Sequence, residues 1–210
     1  MSHLYPIFLD LRRSAVLLVG GGGLAAQKLR TLEPTGADVT LVATRVAPAC
    51  RRWTGAGTLR IEERAYRPGD LEGMRLVFAA TDDAPLNHAI VAAARARGIV
   101  ANAVDDPAHC DFHTPSVIRQ GPFTLALSSA GAFPGLTKAL REALEGWLPE
   151  RDAAAVADLV AARRELRARP IPPAQRSAAL RALAAGFRHR YLGAAPPLPE
   201  RLPHEQRAEG

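Results

Sequence analysis

The sequence is poor in aromatic residues and cysteine, and it contains no hydrophobic run long enough to cross a membrane. Aromatics are 5% of the 210 residues although 48% are hydrophobic, so the apolar content is mainly aliphatic, as is typical of a parallel sheet covered by helices. Its two cysteines, Cys50 and Cys110, are too few for a disulfide framework. No apolar run reaches the roughly 18 residues of a membrane span, and the first residues do not resemble a secretory signal. We therefore expect a cytoplasmic protein with no membrane partner.

Lysine is also scarce, because 25 Arg and only 2 Lys supply the basic charge. The formal net charge is +6, but the excess is spread thinly, without a dense basic block or interleaved aromatic residues. We therefore expect no nucleic-acid partner. A small, highly anionic substrate would account for the same surplus of positive charge.

The order of apolar runs predicts an α/β fold with a Rossmann-type, doubly wound parallel sheet. The run Ala15 to Val19 has the composition of a strand buried on both faces, and a glycine run and a helical pattern at 24–33 follow it. The same reading predicts further strands and one further helix, the strands at 38–43, 58–63, 75–83 and 99–104 and the helix at 87–97. Strands that alternate with helices in this way are typical of doubly wound sheets.

The pattern changes after residue 113. Two β-rich runs separated by Gly121-Pro122 predict a hairpin, and a helix is expected at 136–148. Residues 151–193 predict two more helices, and the tail has the composition of a disordered segment. We therefore predict a Rossmann domain, a small α+β segment, a helical C-terminal part and a disordered tail, at residues 1–113, 114–148, 149–193 and 194–210.

The glycine run Gly20 to Gly23 predicts a dinucleotide site. Gly20-x-Gly22-x-x-Ala25 fits the fingerprint in which the first glycine allows a tight turn, the second lets a pyrophosphate approach and the small third residue lets the helix pack closely. The start of the helix, at Gly23 and Leu24, would present free N–H groups to the phosphates.

One element of the dinucleotide fingerprint is absent. No acidic residue ends the second strand to bind the ribose hydroxyls, and Thr44 and Arg45 stand there instead. Thr44 could bond a hydroxyl group and Arg45 could accommodate a 2′-phosphate. The residues therefore leave NAD and NADP open.

The segment His109-Cys110-Asp111-Phe112-His113 contains several residue types that bind metals. Its spacing matches no closed zinc site, and one short segment rarely supplies a full tetrahedral set. We expect no stable metal site here. A substrate contact through His113 is a better interpretation, and a structural loop is better still.

Six motifs in order then resemble one family: YPIFLDLR, VGGGGLAAQK, FAATDDAPLN, ANAVDDP, TPSVIRQGPFTLALSSAG and PGLTKALRE. Together they resemble precorrin-2 dehydrogenase, the dehydrogenase/ferrochelatase module of siroheme synthase, in its stand-alone form. The resemblance covers about residues 3–148. It implies NAD-dependent oxidation of precorrin-2 to sirohydrochlorin, insertion of ferrous iron in some members, and a homodimer formed through the part after the Rossmann domain. The polycarboxylate substrate would explain the basic charge.

The resemblance also implies roles for particular residues. In the family's N-x-V-D-x-P pattern the aspartate acts as general base, and the matching residue is Asp105, although Asp106 beside it leaves open which carboxylate acts. Asp105 and Asp106 could equally be turn formers before a proline. Ala80 and Thr81 match a cofactor-lining A-A-T-D pattern, in which Asp82 could cap the following helix.

Further residues are expected to bind the substrate. Ser128 and Ser129 match the family's S-S/T-x-G loop, and the next helix offers Lys138 and Arg141 as partners for carboxylates, with a solvated helix face as the alternative for these two. The departures from the family pattern at Phe133 and Gly135 affect the details of this loop.

Two other functions compete with the dehydrogenase. A non-catalytic NAD-sensing domain would use the same glycine loop but would not need Asp105. An oxidoreductase acting on a different substrate would need its own catalytic signature, and the sequence has no Tyr-x-x-x-Lys pair.

Overall fold

The computed structural model describes residues 3–120, 123–147 and 153–191, and the chain within them divides into two compact units. The first unit comprises the described residues up to Thr114 together with Ser128–Phe133, and the second comprises Pro115–Leu127 and the chain from Pro134. The predicted turn at Gly121-Pro122 and the predicted disordered tail lie outside the described residues. The division into four regions stays a prediction.

The first unit contains a five-stranded parallel sheet. Its strands are β1 (Ala15–Val19), β2 (Asp38–Val42), β3 (Leu59–Glu62), β4 (Leu76–Ala79) and β5 (Val100–Ala103). They lie in the order β3-β2-β1-β4-β5, with helices α1 (Gly23–Leu32) and α2 (Ala84–Arg95) after β1 and β4. The predicted doubly wound α/β fold is confirmed.

Both faces of this sheet are buried, which is why its strands are continuous apolar runs rather than alternating ones. In β1, Val16 and Leu18 belong to one apolar cluster, which includes Leu29 of α1. Leu17 belongs to a second cluster, on the other face, which includes Ile90 of α2. Full burial of a Val or Leu side chain stabilises the fold by about 1.5–3 kcal/mol.

Helix α2 begins three residues earlier than predicted and ends at Arg95 instead of Arg97. The residue that caps it is Asp83, whose Oδ1 accepts a hydrogen bond of 3.0 Å from the N–H of Leu86. The expected cap at Asp82 is therefore wrong. Pro85 explains the difference, since a proline fits the first turn of a helix, where its missing N–H would have had no partner.

The described residues of the second unit form two antiparallel strands and three helices. The strands β6 (Ser116–Gln120) and β7 (Phe123–Leu127) pair, and the helices are α3 (Pro134–Trp147), α4 (Ala153–Ala168) and α5 (Pro173–Tyr191). Several of its large apolar side chains are exposed, among them Leu136, Leu140 and Val160. Within the described ranges of both units, no helix is long and apolar enough to span a membrane.

Candidate dinucleotide and substrate site

The predicted site residues of the first unit follow the carboxyl ends of neighbouring parallel strands. The glycine run follows β1, Thr44 and Arg45 follow β2, Ala80 and Thr81 follow β4, and Asp105 follows β5. The strand order reverses between β1 and β4, and open α/β sheets bind ligands outside such a switch point.

Gly20 and Gly21 lie where no side chain fits. Gly20 has φ +120°, and a Cβ there would be 2.2 Å from the carbonyl oxygen of Ala80. A Cβ on Gly21 would be 2.0 Å from the carbonyl oxygen of Arg45. The N–H of Gly20 donates to the carbonyl of Val42 at 2.9 Å. These two glycines therefore allow the loop after β1 to pack between the ends of its neighbouring strands.

Gly22 and Gly23 differ, because a Cβ on either would meet no atom within 4 Å. Gly22 is the N-cap of α1, and it has no side chain that could bond the first-turn N–H groups. The first turn of α1 also contains no acidic residue. Free N–H groups, the positive end of the helix dipole and open space above two glycines fit a dinucleotide diphosphate. Leu24, in the same turn, is exposed.

The residues after β2 leave the choice between NAD and NADP open. Thr44 and Arg45 are both exposed, and the backbone of Arg45 lies against Gly21. Asp38 begins β2, and its Oδ1 accepts hydrogen bonds from the N–H and hydroxyl of Thr58. This carboxylate lies at the amino end of β2, opposite the glycine loop, and cannot replace the missing acidic residue.

Ala80 and Thr81 form the rim of the loop after β4. Ala80 is buried, and its N–H donates to the carbonyl of Val19 at 2.7 Å. The Thr81 hydroxyl lies 2.7 Å from Oδ1 of Asn87, and Nδ2 of Asn87 donates to the Thr81 carbonyl at 3.0 Å. Thr81 is thereby fixed to α2, and its role in lining the cofactor stays a prediction.

Asp105 adopts a backbone conformation that is uncommon for an aspartate. Its φ is +66°, in the left-handed region, at a cost of order 1 kcal/mol, and its side chain is exposed. Within the described part of the chain the carboxylate makes no hydrogen bond or ion pair. Backbone strain of this kind is concentrated at functional sites, where the surrounding fold maintains it.

Lys28 of α1 lies near Asp105, although no sequence motif indicates a role for it. Its Nζ donates to the Thr114 hydroxyl at 3.2 Å and lies 5.8 Å from the ring centroid of Phe78. Burial lowers the pKa of Lys28, and the negative charge of Asp105 opposes this effect. The contact between Lys28 and Thr114 could not be predicted from the sequence, because the two residues are 86 positions apart.

The carboxylate of Asp106 forms hydrogen bonds, whereas that of Asp105 forms none among the described residues. Its Oδ2 lies 2.7 Å from Nε2 of His88 and 2.9 Å from Nδ1 of His109. The hydrogen bond from His88, with further contributions from His109, lowers the pKa of Asp106 below its usual value. The two neighbouring aspartates therefore have different surroundings, and only Asp105 keeps an unpaired carboxylate.

The side chains of the segment 109–113 do not all point toward one position. The Cys110 thiol donates to the carbonyls of Ala103 and Asp106, each at 3.1 Å, and burial raises its pKa. Asp111 accepts hydrogen bonds from the N–H of Ala101 and from Nε of Arg95. Both side chains thus fasten the loop to β5 and α2.

The serine loop belongs to the first unit. Ser128 Oγ accepts a hydrogen bond from the N–H of Ala130, and Ser129 Oγ accepts one from the N–H of Phe133, both at 3.0 Å. A Cβ on Gly131 would lie 3.9 Å from Cε1 of His113. The structure therefore brings this loop beside His113, at the end of the segment that follows Asp105.

Lys138 and Arg141 belong to α3 of the second unit. Arg141 bonds Glu145 at 2.5 Å and Glu142 at 3.3 Å, and Lys138 lies 4.0 Å from Glu142. Both cations thus have partners on their own helix, as a solvated helix face would have. Their contact with substrate stays a prediction.

The chain is similar in sequence to known proteins. The chain is 43% identical over 144 residues to siroheme synthase of Sodalis glossinidius, which is 69% of this chain and 31% of that protein. It is 43% identical over 149 residues to siroheme synthase 1 of Pectobacterium atrosepticum, which is 71% of this chain and 31% of that protein. The chain thus spans about a third of the length of these relatives.

The fold is also similar to a solved structure, "SirC, precorrin-2 dehydrogenase". The TM-score is 0.69 at 25% sequence identity, and the match covers 86% of this chain and 89% of that one. These similarities confirm the resemblance to the precorrin-2 dehydrogenase module of siroheme synthase. A family model of NAD(P)-binding domains matches residues 7–116, which is more than half of the chain, and the chain therefore belongs to this NAD(P)-binding family.

Proposed function

We propose that the protein oxidises precorrin-2 to sirohydrochlorin, with NAD as the hydride acceptor, in siroheme biosynthesis. The observation that best supports this proposal is that two features lie at the carboxyl ends of the parallel strands. A glycine loop with an open helix N-terminus follows β1, and an unpaired carboxylate held in a strained turn follows β5. The relatives and the structural neighbour named above act in the same pathway.

The chain's own residues would bind the cofactor through its phosphates. Gly22 and Gly23 leave room for the diphosphate, and the N–H groups at the start of α1 would donate to it. Ala80 and Thr81 would border the cofactor, and Thr44 would bond a ribose hydroxyl. When bound, the nicotinamide ring supplies the hydride acceptor.

Asp105 would remove the proton that accompanies hydride loss from the substrate. Dehydrogenation takes two hydrogens from precorrin-2, one as hydride and one as a proton, and a carboxylate with no competing partner is suited to accept the second. Lys28 provides a positive charge near this carboxylate. Asp106 is less suited, because His88 and His109 already bond its Oδ2.

Substrate carboxylates would bind to polar and basic side chains. His113, Ser128 and Ser129 are the candidates of the first unit, and Lys138 and Arg141 are those of the second. We further propose that the second unit forms a homodimer, because Leu136 and Leu140 of α3 and Val160 of α4 expose apolar surface that a second copy would cover. The cytoplasm is the expected location.

The test is an assay that follows tetrapyrrole absorbance with precorrin-2 and either NAD or NADP. Sirohydrochlorin should form, faster with NAD, and Asp105→Asn should lower the rate by at least about a hundredfold, within the range of general-base catalysis. Glu72→Gln is the control, because Glu72 is an exposed carboxylate near the amino end of β4, away from the site. An Asp105→Asn variant with the wild-type rate would disprove the assignment of the base.

The same assay separates the competing functions. A non-catalytic NAD-sensing domain would bind NAD without any turnover, so formation of sirohydrochlorin excludes it as the main role. Ferrous iron, added after the oxidation is complete, tests the second reaction that the resemblance implies. A product that remains sirohydrochlorin would restrict the function to dehydrogenation.

A further inference from the structure

Three metal-binding side chains meet beside the turn that holds Asp105, and the function proposed above does not use them. They are His88 of α2, Asp106 after β5, and His109 of the short 3₁₀ turn Pro107–His109. One donor atom from each lies within 4.8 Å of the others. We propose that this cluster, named here the His-Asp-His cluster, binds a first-row divalent transition-metal ion.

Each of the two imidazole rings places one nitrogen near the same carboxylate oxygen. Nε2 of His88 and Nδ1 of His109 both approach Oδ2 of Asp106, at 2.7 and 2.9 Å. The two rings stack with centroids 3.8 Å apart and an angle of 15° between their planes. Ligand atoms bound at about 2.0–2.2 Å around one ion lie roughly 3–3.5 Å apart, so a small side-chain rotation would complete the set.

The backbone around the cluster is already fixed. His88 lies on α2, which is held against the sheet by the buried residues Ile90 and Val91. The N–H of His109 donates to the Asp106 carbonyl at 3.1 Å, and the Cys110 thiol donates to the same carbonyl. Ligands on such fixed elements lose little conformational freedom when an ion binds.

The donor set determines the class of ion. Two imidazole nitrogens and one carboxylate oxygen suit Fe²⁺, Co²⁺, Ni²⁺ and Zn²⁺, whereas Mg²⁺ and Ca²⁺ prefer oxygen ligands alone. Thiolate chemistry does not enter, because Cys110 donates its thiol hydrogen to backbone carbonyls. Two histidines with one carboxylate are also the ligands of the common non-haem ferrous site.

The cluster is open to solvent, so the ion it holds would exchange. The side chains of His88, Asp106 and His109 are 40%, 34% and 41% exposed. Three protein ligands leave coordination positions for water or another ligand, unlike the closed set of a structural zinc site. This differs from a site within the segment 109–113, because His88 supplies a ligand that the segment lacks.

The test uses Co²⁺ alone, titrated into the full chain after removal of any histidine tag, without NAD or tetrapyrrole. One ion per chain should bind, with d–d absorption bands in the visible range. His88→Asn and His109→Asn should each weaken binding by at least about tenfold, since even loss of an outer-shell partner costs that much. His113→Asn is the matched control, and it should keep the wild-type affinity for Co²⁺.

Two results would overturn the proposal: no Co²⁺ binding at millimolar concentration, or wild-type affinity in both cluster variants. Circular dichroism confirms that each variant folds. A second readout is the NMR spectrum of the histidine ring nitrogens with Zn²⁺, in which His88 and His109 should shift and His113 should not. Because the titration contains no substrate, its outcome is independent of the dehydrogenase assay.

Discussion

Every residue of β4 in the first unit is buried, whereas every residue of β7 in the second unit is exposed or half-buried. The same contrast holds for the helices, because α1 and α2 each bury four residues against the sheet, while Leu136 and Leu140 of α3 stay exposed. A high content of aliphatic residues therefore does not by itself show where the core lies. The first unit buries both faces of its sheet, whereas α3 of the second unit leaves apolar side chains exposed.

The test with the largest expected effect on stability compares two valines. Val77 is fully buried in β4, and Val160 is 49% exposed in α4. Val77→Asp places an unpaired carboxylate in the core and should cost more than about 4 kcal/mol, enough to prevent folding. Val160→Asp should change the stability of the monomer by less than about 0.5 kcal/mol, although it should weaken the proposed homodimer, whose surface includes Val160. Circular dichroism shows whether Val77→Asp folds, and urea unfolding of dilute, monomeric protein measures Val160→Asp. Equal losses would contradict the contrast.

A second test compares two glycines of the same loop. Gly20→Ala should cost about 2 kcal/mol or more, because φ is +120° and the methyl group would collide with the Ala80 carbonyl. Gly23→Ala should leave the stability nearly unchanged, since its Cβ would meet no atom, but should weaken NAD binding by filling the open space. Thermal unfolding and NAD titration of both variants separate the two effects. Unchanged NAD affinity in Gly23→Ala would contradict the proposed position of the diphosphate.

The two helix N-termini of the first unit provide a smaller test. Asp83 caps α2, whereas the N-terminus of α1 has no side-chain cap. Asp83→Ala should cost about 1 kcal/mol, and Asp82→Ala should cost much less, because Asp82 lies outside the cap. Denaturant unfolding of the pair provides the measurement. If the two losses were reversed, the start of α2 would be misplaced.

The smallest effect concerns an ion pair between Arg64 and Asp70, which are 2.7 Å apart within the connection between β3 and β4. The hydrogen bonds from Arg64 lower the pKa of Asp70, so the pair stabilises the protein above the ordinary pKa of an aspartate. Asp70→Asn should cost up to about 1 kcal/mol at neutral pH. The difference should vanish as the pH falls through the pKa that Asp70 has in the folded protein.

Glu145→Gln in the second unit is the comparison for that variant. Glu145 pairs with Arg141 on the same helix, where such pairs contribute about 0.3–0.5 kcal/mol. Unfolding curves recorded from neutral to acidic pH should therefore show a larger effect for Asp70→Asn. A pH-independent loss in Asp70→Asn would contradict the role of its charge.

The fold was largely predictable because its signals are local. The runs that predict β1 and β2 are continuous and end at glycine or polar residues, so their bounds differ from the structure by at most one residue. The start of α2 was not predicted, because the expected helix began at residue 87, whereas the observed one has Pro85 in its first turn. The glycine loop was identified from its own spacing.

The candidate site was predictable only where its residues are close in sequence. His88 and Asp106 are 18 residues apart and meet because α2 and the loop after β5 are neighbours in the sheet order. The different contacts of Asp105 and Asp106 also needed the structure, since the two residues are neighbours in one turn. Periodicity and spacing contain no information about such contacts.

The first unit is discontinuous in sequence, because Ser128–Phe133 belongs to it although the hairpin β6–β7 comes between. During synthesis the sheet can therefore form before the serine loop has left the ribosome, and this part of the unit is completed last. A fragment that stops at Thr114 would retain every strand of the parallel sheet but lack that loop. Such a fragment would show whether the proposed nucleotide site can form without the loop that is proposed to contact the tetrapyrrole.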